Sequence, residues 1–156
     1  MPLDHVDRRL LEVLQHEGRL SNVALADRVH LSPSPCLRRV KALEQSGVID
    51  GYRAVLDREA VGLGLTVFVE IKVEGHSEDK AMAIEKAVAT MPEVVSCHIV
   101  SGAADFLAEV VVPDLRAYER LLLGSLLKLP AVGDIRSNFA IRSVKAPGPL
   151  PLGHLA

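Results

Sequence analysis

SNVALADRVHLSPSPCLRRVKALEQ, residues 21–45, reads as two short helices around a tight turn. Leu25, Ala26 and Val29 give the first helix an apolar stripe, and Leu31 closes the connection. Ser32 falls where an N-cap belongs, with Pro33 at the first helical position, where a missing N–H costs nothing. Pro35 is still in the first turn, whose N–H groups have no intrahelical partner. Cys36, Val40 and Leu43 recur at helical spacing and form the inward face. At about 100° per residue, Arg38 points away from them, flanked by Ser34, Lys41, Ala42 and Gln45. A buried stripe backed by Ser, Arg and Lys is what a helix lying in a major groove of DNA requires. The segment is therefore expected to be a DNA-reading helix-turn-helix. Its plain alternative is a solvated cationic face.

Charge distribution favours the first reading. The whole chain of 156 residues carries a formal net charge of −2, which says nothing about nucleic acid. Between Arg19 and Lys41, however, four arginines and one lysine face a single acid, Asp27, a local +4. Within that field Arg38 is the first candidate for a base edge, since a guanidinium binds guanine bidentately. Ser34 and Lys41 flank it. Ser32 is expected to cap its helix, its hydroxyl meeting phosphate only when not engaged in capping. Arg39 lies nearer the buried edge, where it either touches phosphate or pairs within the bundle. Arg28 and Arg19 are further candidates for contacts to the DNA backbone.

Composition bounds the rest. Hydrophobic residues make up 49% and charged residues 24%, so a sizeable core is available; with 3% aromatics and no Trp it must be aliphatic. No apolar run approaches the roughly 20 residues that cross a bilayer. The first ten residues, MPLDHVDRRL, are too charged for a signal peptide, and a cytoplasmic protein without membrane contact is expected. Cys36 and Cys97 read as small buried hydrophobes, not as a disulfide.

Outward from residues 21–45, a helix is expected from Asp4 to His16, with Asp4 as N-cap and Asp7 three residues on. Gly18 ends it, Ser21 caps the next helix, and Gly47 ends the third. Tyr52–Leu56 reads as a short strand. From Leu65 a second pattern begins. Leu65–Val73 alternates as a strand, Ser77–Thr90 is an amphipathic helix and Val94–Ser101 a strand. Gly102-Ala103-Ala104 is a turn and Asp105–Val112 another strand. A helix follows from Asp114 to Pro130, with Leu115, Tyr118, Leu121, Leu122 and Leu126 inward, and Ile135–Lys145 is the last strand. The fold class is α+β: a trihelical, winged-type helix-turn-helix domain joined to a ferredoxin-like βαββαβ domain, an antiparallel sheet with two helices on one face. The boundaries are 1–50, a strand and linker at 51–64, the βαββαβ domain at 65–146, and an irregular tail at 147–156. The open sheet face is expected to be apolar enough to drive self-association.

Taken in order, the trihelical segment, the run LSPSPCLRRVKALEQSGVIDGYRAVLD, the βαββαβ domain and the loop SGAAD resemble the Lrp/AsnC family of prokaryotic transcription regulators. The resemblance spans Leu3 to about Lys145. It implies a regulator of amino-acid metabolism that binds double-stranded DNA, and homodimers formed through the C-terminal sheet that assemble into octamers. It also implies that Tyr52–Leu56 pairs between protomers. Two reading helices in a dimer would then lie roughly 34–36 Å apart, on a degenerate palindrome. The effector implied is an amino acid bound between C-terminal domains at the turn matching Ser101, Gly102, Ala103, Ala104 and Asp105. Gly102 fits a turn that needs positive φ. Asp105 either accepts from an ammonium group or caps the turn. Between that Gly and Asp, where the family often has a larger or polar residue, this chain has Ala103-Ala104.

The rival classes are an enzyme, an amino-acid-binding module with a non-functional DNA domain, which the Arg38 face and the local +4 argue against, and an architectural protein. An enzyme lacks support: His5 and His16 sit on a solvated helix, His30 in a turn, His76 at a helix start and His154 in the tail. Cys97 and His98 are neighbours on a strand and point to opposite faces, so no metal is expected there. No resident cofactor is expected either. The alternative is an architectural DNA-bundling protein with no effector.

Overall fold

The computed structural model describes residues 3–75 and 77–155. They form two compact units, residues 1–55 with 144–156, and residues 56–143. His76, expected at the start of a helix, lies outside the described residues.

The first unit holds α1 (His5–His16), α2 (Asn22–Val29) and α3 (Pro33–Gln45). Asp4 caps α1 by accepting the Val6 and Asp7 N–H groups, while Asp7 accepts the Asp4 N–H, a complete capping box. Ser21 caps α2 through Ala24 N–H. The core is Leu10, Leu11, Leu25, Ala26, Val29, Cys36 and Leu43, all aliphatic or thiol as the composition requires. The tail belongs to this unit and is held on α1. Gln15 donates to the Leu150 carbonyl and accepts its N–H at 2.6 Å, Arg8 donates to the Leu155 carbonyl, and Leu152 packs against the core.

Two expectations for this unit change. Ser32 stands at the N-cap of α3 in extended backbone (φ −75°, ψ 153°), yet its side chain makes no cap hydrogen bond. A cap accepts from the second or third helical N–H. Here the third position is Pro35, which has none, so only the Ser34 N–H is left. Tyr52–Leu56 forms no strand, because a strand needs a ladder partner and this single chain offers none.

The second unit is β1 (Leu65–Val73), α4 (Glu78–Ala89), β2 (Val94–Ile99), β3 (Phe106–Val112), α5 (Leu115–Gly124) and β4 (Val132–Phe139). This is the expected βαββαβ order, and the sheet runs β2-β3-β1-β4 with every pairing antiparallel. Val67, Val69 and Ile71 of β1 are fully buried, as are Ala108 and Val110 of β3, and Ile84, Val88, Tyr118 and Leu121 cover them from the two helices. Tyr118 meets Phe139 edge-on at 5.4 Å and shares a 2.6 Å hydrogen bond with Ser137.

α5 ends at Gly124, well before Pro130, and passes through Ser125 into a single 3-10 turn at Leu126–Lys128. Leu115, expected inward, is 62% exposed because it occupies the first position of α5, before the helix reaches the sheet. β4 begins earlier than expected and stops at Phe139, where the pairing with β1 runs out at Val67. The open sheet face is also more polar than expected. Alternation sends the aliphatic residues to the helices and leaves Glu70, Lys72, Glu109, Arg136 and Asn138 around Phe68 and Leu107. Part of that face is closed by Arg58, which donates to Thr66 at 3.0 Å and to Glu109 at 2.8 Å. Cys36 is buried, Cys97 half-buried, and both are free thiols. No helix among the described residues is long and apolar enough to cross a membrane.

Candidate functional site

Each unit carries one candidate site. On the first, α2 and α3 are joined at His30, which takes the left-handed conformation (φ 57°). The Leu31 N–H reaches back to the Ala26 carbonyl and closes the turn. Asn22, opening α2, donates to the Pro33 carbonyl at 2.8 Å and ties the start of α3 to it. Cys36 and Leu43 then anchor the inner face of α3 with no residual exposure. The outer face is what those anchors leave over. Ser34, Arg38 and Lys41 are all exposed, and among the described residues neither cation has an ion-pair partner. Ser32 is exposed beside them with its hydroxyl uncommitted.

Of the other three expected DNA contacts, Arg19 is exposed, and Arg39 and Arg28 are engaged within the bundle. Arg39 takes the second of its two expected roles, with Nη1 at 2.8 Å from Asp4 Oδ2 and 2.8 Å from Asp7 Oδ1. The two carboxylates hold its guanidinium pKa up, Asp7 foremost. Arg28 pairs with Glu17 at the end of α1 through both terminal nitrogens. The local +4 thus overstates the free charge, since acids outside residues 19–41 meet two of its cations. Only tertiary structure reveals those partners. Leu37, not singled out from the sequence, is 43% exposed on α3 next to Arg38.

On the second unit, the loop 100–105 joins the edge strand β2 to β3. Val100 N–H donates to the Asp105 carbonyl, which closes the turn. Gly102 has φ +123°, a backbone conformation closed to side chains with a Cβ, as its position predicted. The loop is stitched to the end of β1: Lys72 Nζ donates to the Ala103 carbonyl at 2.9 Å, and Val73 N–H donates to Asp105 Oδ2 at 2.8 Å. Asp105 is therefore a cross-strand hold rather than a turn cap, with Oδ1 still open to another donor.

Two clefts flank this loop. A small one of about 30 Å³ lies between Glu70, Lys72, Ala103, Ala104, Asp134 and Arg136, room for about one water. A larger one of about 400 Å³ places Asp105 and Glu78 among the apolar walls of Val73, Ala81, Ile99 and Phe106. These linings were not foreseen, since the crossover topology alone brings α4 and β1 beside the loop. A third cleft of about 440 Å³ runs along the edge strand β2. No group of His, Cys, Asp and Glu among the described residues is arranged to hold a metal ion.

Residues 3–50 match the profile of a winged helix-turn-helix DNA-binding domain, and residues 66–150 match that of the Lrp/AsnC ligand binding domain. The leucine-responsive regulatory protein of Klebsiella pneumoniae is 45% identical over 143 residues, covering 92% of this chain and 87% of that protein. The protein of the same name from Escherichia coli K12 has the same identity and coverage. A transcriptional regulator from Neisseria meningitidis, solved as a complex with L-Met, superposes with a TM-score of 0.94 at 40% identity, covering 99% of each chain. An AsnC family transcriptional regulator from Agrobacterium tumefaciens gives 0.93 at 36% identity, covering 99% of this chain and 100% of the other.

Proposed function

We propose, since this chain belongs to the Lrp/AsnC family of transcriptional regulators, that it reads specific operator DNA with α3 and answers to an amino acid bound at the loop 101–105. The observation that carries the DNA half is the outer face of α3, where Arg38 and Lys41 remain free while Arg28 and Arg39 are paired. Arg38 takes a base edge, Ser34 and Lys41 flank it, and Ser32, released from capping, donates to phosphate. Arg28 and Arg39 serve the bundle instead.

The effector half draws on the larger cleft. Its apolar walls suit an aliphatic or thioether side chain, and Asp105 Oδ1 with Glu78 suits an ammonium group. The L-Met complex of the Neisseria regulator supports an effector of this class. A cleft open on one side in a single chain is completed at an interface between C-terminal domains, so homodimers and larger assemblies are part of the reading. Such a protein would serve the regulation of amino-acid metabolism in the cytoplasm.

A thermal-shift panel of the twenty amino acids tests the effector. A ligand that binds only the folded state stabilises it by about 2.7 kcal/mol at a hundred times its Kd. Methionine or leucine is expected to raise the melting temperature and to change the affinity for operator duplex. A panel that moves neither quantity contradicts the effector and favours DNA bundling without one.

A further inference from the structure

The buried charged residue among those described is Asp7, on α1, 3% exposed. Both its oxygens are engaged. Oδ2 accepts the Asp4 N–H at 3.2 Å, and Oδ1 accepts Arg39 Nη1 of α3 at 2.8 Å. Asp4 Oδ2 accepts from the same Nη1 at 2.8 Å, while its Oδ1 accepts the Val6 and Asp7 N–H groups at 2.9 Å. One guanidinium nitrogen is thus gripped by two carboxylates that are themselves held in a capping box.

Such a network is a weak source of stability, because desolvation takes back most of the attraction. What it adds is direction. The contacts of Cys36, Val40 and Leu43 hold α3 against the bundle but are non-directional. A hydrogen-bonded Arg39 fixes one azimuth of the helix, and every other side chain follows from it at about 100° per residue. Arg38 is the next residue, and Ser34 and Lys41 lie on the same turn-to-turn face. Their exit directions are therefore set by where Arg39 is tied.

We propose that Asp4, Asp7 and Arg39 form a positioning lock that sets the rotation of the reading helix, with Arg39 acting through Arg38 rather than on DNA. The proposal rests on the DNA-reading function above. Its test compares wild type, Arg39→Met and Asp7→Asn by fluorescence anisotropy over a range of salt. The probes are a duplex enriched by the wild-type protein from a random-sequence pool, and a scrambled duplex of equal length.

Asp7→Asn is expected to weaken binding to the enriched duplex at least tenfold and to leave the scrambled duplex unaffected. That sign is diagnostic, since removing an acid from a DNA-binding surface otherwise tightens binding. Arg39→Met is expected to lose the same discrimination with an unchanged slope of log Kd against log salt. A slope reduced by about 0.9, with both duplexes weakened, would make Arg39 a phosphate contact and overturn the lock. Asp7→Asn binding that is equal or tighter overturns it too. Asp7→Asn is isosteric and keeps an acceptor, so it decides the matter if Arg39→Met does not fold. Wild-type protein that enriches no sequence overturns the DNA-reading premise, and the lock with it.

Discussion

His30 shows how a single residue shapes the site. It carries φ 57° at the end of α2, where a residue with a Cβ is strained and glycine is not. His30→Gly is expected to stabilise the protein by about 1 kcal/mol in urea denaturation; no gain would mean the imidazole makes up for the strain. At the start of α1, the Asp7 N–H foremost, with Arg39 assisting, holds the Asp4 carboxyl below the ordinary range. A carboxyl whose folded pKa is lowered contributes stability above its unfolded value, about 4, and loses it as pH falls through the folded one. The acid limb of a stability-versus-pH curve, below about pH 4, should therefore be shallower in Asp4→Asn than in wild type. In the loop 100–105, the proposed effector site, Asp105→Asn keeps an acceptor for Val73 N–H but gives up the charge. Amino-acid affinity in the thermal-shift panel should fall about tenfold or more, with the fold intact. The exposure of Arg38 and the positive φ of Gly102 were legible because each follows from local spacing, one from helical angle and one from a turn. The partners of Arg39 and Arg28 were not, for they sit 32 to 35 and 11 residues away.

Elements were legible where their period was unbroken. β1 matches the alternation of Leu65–Val73 residue for residue, and α3 matches its prolines and its buried stripe, though not the expected Ser32 cap bond. Elements defined by a partner were not legible. Tyr52–Leu56 has strand composition but no ladder in one chain, and β4 stops where β1 ceases to pair with it. The open sheet face was misjudged because the strand runs were counted as apolar before register assigned each residue a side. The tail is irregular as expected, but where it attaches was not legible. Its proline-rich composition gives no periodicity, so its attachment to α1 through Gln15, Arg8 and Leu152 has no local signature. Truncation after residue 146 should destabilise the first unit by about 1–2 kcal/mol, chiefly from the loss of half-buried Leu152 and the Gln15 bonds. Equal urea midpoints with and without the tail would contradict that role.

At the scale of the whole molecule, the chain crosses between its two units twice, at residues 55–56 and 143–144. Apolar side chains left in water cluster near both crossings, with Val55 at 95%, Ile141 at 99% and Val144 at 89% exposure. At this scale the function stands or falls on DNA reading by α3. Its most direct test is the affinity of wild type and Arg38→Ala for an enriched operator duplex, measured by fluorescence anisotropy across salt. The account predicts a steep salt dependence in wild type and a loss of about 1–3 kcal/mol in the variant, with relaxed preference at one base pair. An Arg38→Ala protein that binds the operator as tightly and as selectively as wild type would contradict it.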